Sequence, residues 1–249
     1  MKRILLIITG LIAFTTVAQR NISIEKKALR FYDQQEWASA SAMFDLLIEK
    51  DDASASDFAY AIVSAEMQND TTSAMSLTEK SISHEIAIDS TFYHVRQLSF
   101  AQGMTALYEN YLLQVKRHIP WMRRVADNYL MDYYTFRNNG PMMISYSELM
   151  LKGLPNDVRF LSTLARGYLI ENQTDKAIET YHRILTVDPR NYQVMLILGN
   201  YYYDLYRENP SNLDNKKNAV KYLTDASAIQ ATPYVQNLLR SLEDKPSKK

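Results

Sequence analysis

Four histidines, at positions 84, 94, 118 and 182, are the side chains best suited to proton transfer near neutral pH in this chain of 249 residues, which has no cysteine. Their spacing assembles no reagent. His84-Glu85 is not followed by a second His one helical turn on, so the zinc-helix pattern HExxH is absent. His182 follows Tyr181, which belongs to an apolar stripe, and is expected to face outward. His118 stands beside Arg117 and Pro120 at the end of a helical stretch, where imidazole commonly caps carbonyls. No GxSxG elbow, phosphate loop or dinucleotide fingerprint is present. Acidic pairs such as Asp51-Asp52 read as solvated charge, and without cysteine there is no thiol chemistry, disulfide or lipid anchor on an N-terminal Cys. The expectation is a chain with no catalytic residues, no metal and no cofactor, and therefore not an enzyme.

The strongest local charge feature is "VKRHIPWMRR", Val115 to Arg124. It suits an anionic surface or nucleic acid, and it equally suits a helix C-terminus whose dipole favours Lys116, Arg117 and His118. The chain carries 28 Lys and Arg against 28 Asp and Glu. That balance favours the helix-end reading, with Trp121 as a core residue and no nucleic acid as partner.

The first residues read as an address. Lys2 and Arg3 precede an apolar stretch from Ile4 to Phe14, and Thr16-Val17-Ala18 offers small residues for cleavage. The stretch is shorter than the roughly 20 residues of a spanning helix. Residues 1–18 are therefore expected to be a signal peptide and 19–249 the mature chain. The product would be periplasmic or secreted, with no stable membrane span.

The elements that position everything else come from a repeat. In "ARGYLIENQTDKAIETYHRILTVDP", Ala165 to Pro189, a small residue precedes the aromatic Tyr168 by three, and Ala177, Tyr181 and Ile184 follow at fixed offsets. Gly199 and Tyr202 take the first places one period later, and Ala219, Leu223 and Ala226 arrive late, after an insertion around Arg207 to Lys217. Upstream, Tyr133, Tyr146 and Leu149 hold the phase with a slip of one. Before them come Ser99, Tyr108, Leu112 and Val115, then Ala65, Ala74 and Ser81, then Ala28, Phe31, Ala40, Phe44 and Leu47. Turn signals keep the same beat: Gln35-Glu36, Asn69-Asp70-Thr71, Gln102-Gly103, Asn138-Asn139-Gly140 and Asn172-Gln173-Thr174. The flanking stretches place apolar residues at steps of three and four, the stripe of a helix.

These residues resemble the tetratricopeptide repeat, whose small, aromatic and proline places are filled here by Leu161, Leu164, Ala165, Tyr168, Ala177, Tyr181, Ile184 and Pro189. The resemblance implies an all-α fold, an α-α superhelix or solenoid of about six hairpins with a C-terminal capping helix. The units would be 21–54, 55–88, 89–122, 123–157, 158–191 and 192–233, with the cap at 234–244. Tyr168 would be a core aromatic.

The resemblance also implies a concave groove lined by the first helix of each hairpin and a partner held there. Projected onto it are Tyr93, Gln97 and Phe100, then Arg124, Asp127, Asn128, Met131 and Tyr134. Farther along come Arg159, Ser162 and Arg166, then Gln193, Asn200 and Tyr203. Nine of them are the expected contacts: Tyr93, Gln97, Arg124, Asn128, Tyr134, Arg159, Arg166, Asn200 and Tyr203. The Lys and Asn with which some family members clamp a chaperone's terminal carboxylate are replaced by Glu25 and Leu29. The implied function is a protein–protein interaction scaffold of the cell envelope whose partner is another protein or peptide. The alternative is a glycan or small-ligand binder using the tyrosines. Open ends of the stack could also join copies into a homo-oligomer, and the insertion at 207–217 is expected to be a loop carrying individual specificity.

Overall fold

The computed structural model describes residues 23–49 and 53–243. The expected signal peptide at 1–18 lies outside them. The chain divides into two compact units after Asp127. The first holds α1 (23–33), α2 (Trp37–Ile48), α3 (Ala55–Met67), α4 (Thr71–Ser83), α5 (Ile88–Ala101), α6 (Thr105–His118) and a 3-10 turn, Pro120–Met122. The chain passes to the second unit within α7 (Arg123–Phe136). That unit continues with α8 (Gly140–Leu151), α9 (Val158–Ile170), α10 (Thr174–Val187), α11 (Tyr192–Glu208), α12 (Leu213–Ile229) and α13 (Pro233–Glu243). Every regular element among the described residues is helical, and successive helices pair as hairpins.

One device makes five of those hairpins. Gln35, Asn69, Gly103, Asn138 and Asn172 all have positive φ, between 50° and 71°. At each the chain closes a Schellman motif. At the first, the amide of Gln35 donates to the carbonyl of Tyr32 (2.9 Å) and that of Glu36 to Phe31 (2.9 Å). At the last, Asn172 donates to Leu169 (3.1 Å) and Gln173 to Tyr168 (2.8 Å). The motif satisfies the orphan carbonyls of one helix and reverses the chain for the next. Asn tolerates the left-handed conformation because its short polar side chain bonds locally. Gly103 has open space where a Cβ would stand, so Gly103→Ala is expected to cost about 1 kcal/mol from backbone strain alone. A urea titration checks this, and an unchanged midpoint would show that the turn relaxes.

At two of the five turns the next helix starts on a side-chain cap, whereas α2, α6 and α10 have none. Asp70 accepts from the amide of Ser73 (3.0 Å) and Asn139 from that of Met142 (3.2 Å). Ser54 and Asp57 form a reciprocal capping box at α3.

The small residues of the repeat lie where helices touch. Ala28, Ala40, Ala74, Ala165, Ala177, Ala219 and Ala226 have no exposed surface. A Cβ built on Gly167 of α9 would stand 2.9 Å from Ile144 Cγ1 and 3.2 Å from Met143 Cβ on α8. Phe44, Tyr108, Leu112, Val115, Tyr146, Tyr181 and Ile184 are buried as the phase requires.

Four expectations are corrected. Trp121 is 64% exposed rather than core, and Met122 takes the buried place. Pro120 opens a 3-10 turn at the end of α6, so the side chains rotate away from the simple helical register. Tyr168 is only half-buried; its hydroxyl donates to Glu148 Oε1 (3.1 Å) and the Lys176 ammonium lies 5.4 Å from its ring centroid. His182 does not face outward but packs among tyrosines. The insertion at 207–217 is not a loop. It lengthens both helices of the last hairpin to 17 residues, against 13 and 14 in α9 and α10, and only 209–212 lie between.

The capping helix α13 closes this hairpin. Val235 and Leu242 are buried in one cluster with Ala219 and Leu223, against which Leu196, Tyr202, Tyr203 and Tyr206 pack.

Candidate functional site

The expected contact residues fall into distinct environments. In the first unit Tyr93 and Gln97, one turn apart on α5, are exposed, as is Arg124 in the first turn of α7. Asp127 is 5% exposed and pairs with Lys116 at 2.5 Å.

In the second unit the polar residues of α7 and α9 form a network. Arg159, exposed at the start of α9, donates to the side-chain oxygen of Asn128 and reaches Asp132 at 3.6 Å. Its guanidinium also lies 4.9 Å from the Phe160 ring centroid. Arg166, two turns on, donates to the side-chain oxygen of Asn138 in the preceding hairpin turn. Each guanidinium is therefore steered by an amide from the preceding hairpin, and both arginines are exposed. An arginine carries five N–H donors in a fixed fork, so a guanidinium held this way keeps an edge for a carboxylate.

Tyr134 and Met131 stand apart from this network. They are 4% and 0% exposed. Tyr134 packs on Tyr133 and Tyr146 at centroid distances of 5.3 and 5.4 Å. The one-residue slip in this repeat rotates the face by about 100°, so side chains projected outward turn inward.

Asn200 and Tyr203 on α11 are half-buried and already bonded to the cap. Asn200 accepts from the Tyr234 hydroxyl (3.0 Å), and Tyr203 accepts from Ser241 (3.0 Å).

Two polar clusters escaped sequence reasoning. In the second unit the His182 ring links two tyrosines of the last hairpin: Nδ1 is 3.1 Å from the Tyr222 hydroxyl and Nε2 is 3.2 Å from that of Tyr202. The two phenol rings stack at 5.9 Å and 12°. Burial, with Lys221 adding to it, lowers the imidazole pKa from its ordinary 6.5 and favours the neutral form. A neutral ring then accepts from one tyrosine and donates to the other. The partners lie 20 and 40 residues from His182, so no local spacing signals the pairing.

In the first unit Glu66 is 8% exposed on α3. Its Oε2 accepts from Asn110 (3.3 Å) and its Oε1 has no partner. Nearby on α6, Tyr111 is fully buried, and its hydroxyl donates to Thr78, whose own proton goes to the Ala74 carbonyl (2.8 Å). Burial raises the Glu66 pKa above its ordinary 4.5, and the Asn110 bond opposes that rise. A carboxyl whose folded pKa lies above its unfolded one binds more protons when folded. Stability therefore falls as pH rises from about 4.5 through the folded value, then levels. Glu66→Gln keeps the shape and removes the buried charge, so it is expected to be more stable than the parent at neutral pH by about 1 kcal/mol, the low end of the cost of desolvating an unpaired group. The gain should vanish near pH 3, which urea midpoints at the two pH values measure.

Among the described residues no group of three His, Asp or Glu could hold a metal ion, and none of their helices is long and apolar enough to cross a membrane. His84 packs edge-on against Phe58 and His94 against Tyr93.

No family model and no curated protein matches the chain. Solved structures do. The chain is similar to the C-terminal part of a TPR repeat-containing protein from Cytophaga hutchinsonii, with 18% identity and a TM-score of 0.45, over 87% of this chain and 84% of that one. It is similar to a putative protein binding protein from Bacteroides ovatus, with 16% identity and a TM-score of 0.49, over 77% and 97%. It is also similar to YrrB, described as a TPR protein with an unusual peptide-binding site, with 14% identity and a TM-score of 0.46, over 81% and 98%. By its own period, turns and close helix contacts, the chain is built of repeated helical hairpins.

Proposed function

We propose that this chain is a non-catalytic binding scaffold of the cell envelope, exported by its leader, that holds an acidic segment of another protein on α9 of the second unit. The observation that carries the reading is the pair of exposed guanidiniums, Arg159 and Arg166, each steered by an amide of the preceding hairpin. Seven residues apart on one helix, they lie on one face about 10 Å apart. That spacing suits two carboxylates of one extended peptide, which rises about 3.3 Å per residue. Holding the arginines beforehand lowers the side-chain entropy lost on binding.

The glycan alternative relied on tyrosine rings as stacking platforms. Tyr134 is buried, Tyr203 is occupied by the cap, and the exposed Tyr93 belongs to the first unit, so no two of the expected tyrosines offer free faces in one unit and the protein partner is the better supported.

The test is capture from an envelope extract by the mature chain beside an Arg159→Glu, Arg166→Glu variant of equal melting temperature. Affinity for the captured protein is expected to fall about 100-fold, tenfold for each charge-assisted bond lost. Equal capture by both chains would remove this face from the function. Tyr203→Ala is a poor probe, since it disturbs α13.

A further inference from the structure

We propose that the bend between α6 and α7 is a peripheral contact for an anionic lipid surface, with Trp121 entering the headgroup region and Arg117, Arg123 and Arg124 meeting the phosphates. Trp121 is the most exposed aromatic side chain of the described residues at 64%, and it stands on the three-residue turn Pro120–Met122. Ile119, just before the turn, and Met122, its last residue, are buried, so the turn is anchored while the indole is presented. Arg117 and His118 end α6 and Arg123 and Arg124 begin α7, and all four are exposed. The cations thus flank the indole on both sides within eight residues.

The charge arrangement is costly unless an anion meets it. Cations at the end of α6 suit its dipole, but Arg123 and Arg124 occupy the first turn of α7, where the dipole is positive and no acidic residue offsets it. Among the described residues no carboxylate forms an ion pair with Arg117, Arg123 or Arg124. Lys116 is taken by Asp127. Glu79 of α4 lines one cavity with Arg117 and His118 and softens the field on that side, which leaves Arg123 and Arg124 as the principal cations.

A flat anionic surface fits this better than a peptide does. A peptide is recognised by pockets or by a groove, whereas this indole stands out from a turn. Indole rings favour the membrane–water interface because one edge is apolar and the N–H stays wet. Arginine can lay its stem along the surface and keep its head at the phosphates. Each cation adds about 1 kcal/mol at an anionic membrane, so the contact is weak, reversible and salt-sensitive. The chain as a whole has no net charge, so the effect belongs to this patch and not to a global field. It is independent of the arginine pair on α9.

The chain has two tryptophans, and the other, Trp37, is half-buried against Tyr32. Trp37→Phe therefore leaves Trp121 as sole reporter. Titrated with mixed phosphatidylglycerol–phosphatidylcholine vesicles, its emission should shift to the blue and its acrylamide quenching should fall. Neither should occur with pure phosphatidylcholine, and high salt should reverse both. Arg123→Glu, Arg124→Glu should weaken partitioning at least about thirtyfold, from two lost cations. In the parent background Trp121→Ala should reduce vesicle co-sedimentation. All three positions are exposed, so far-UV dichroism and melting temperature should hold. No spectral change with anionic vesicles would overturn the proposal, as would equal binding by the charge-reversed variant. A shift with a poly-glutamate peptide but not with vesicles would reassign the patch to an acidic protein segment.

Discussion

Phe44→Ala is expected to lower stability by about 3–5 kcal/mol, the range for deleting a buried aromatic ring. Phe44 has no exposed surface on α2. Its ring lies parallel to that of Tyr60 on α3, with centroids 4.9 Å apart and planes 1° apart. Tyr60 meets Tyr32 of α1 edge-on at 4.6 Å, and Tyr32 meets Trp37 edge-on at 5.3 Å. Alanine would thus leave a void and also remove the support of an aromatic ladder joining α1, α2 and α3. The Tyr32 hydroxyl is buried without a partner, so the ladder already carries one unsatisfied group. Urea unfolding followed by far-UV dichroism measures the loss. A change below about 1 kcal/mol would mean that the ring sits outside the core.

Leu223→Ala should cost about 2–5 kcal/mol, and the outcome depends on Gly199. Leu223 has no exposed surface and lies in one cluster with Ala219, Val235 and Leu242. A Cβ on Gly199 would come within 2.8 Å of Leu223 Cγ. Gly199→Ala therefore sets better helix propensity, about 1 kcal/mol, against a clash with a branched carbon. In the Leu223→Ala background the side-chain clash disappears, leaving only the 3.3 Å approach to the backbone nitrogen, and the new methyl fills part of the void. The pair should be strongly coupled, by about 1 kcal/mol or more in a double-mutant cycle. Simple additivity would show that the helices do not approach this closely.

Much of the fold was legible because its turns impose a backbone requirement. A left-handed residue is needed at each of the five turns, and Asn, Gly and Gln occupy those places at intervals of 34 or 35 residues. Close helix approach likewise demands small residues, so Ala28, Ala65, Ala165 and Gly199 announce themselves by type. Facing was less legible wherever the register breaks. Pro120 replaces a helical turn by a 3-10 turn, which moved Trp121 out and Met122 in. The slip before α8 turned Tyr134 inward. His182 and Glu66 depend on partners 20 to 44 residues away, and no local pattern encodes such pairings. The arginines of the proposed contact were legible by register. Their steering by Asn128 and Asn138 required the packed helices.

The lengthened last hairpin has a consequence for how such a chain changes size. Its helices exceed those of the preceding hairpin by four and three residues. Those increments straddle the 3.6 residues of one helical turn. Added in that way, new chain raises both arms together by about 5 Å and returns their apolar stripes almost to the same heading. A shorter or one-sided addition would rotate one stripe away from the other and strand its apolar residues in water. This hairpin has therefore grown by about one turn on each arm, so it stands taller while both arms still meet along their length.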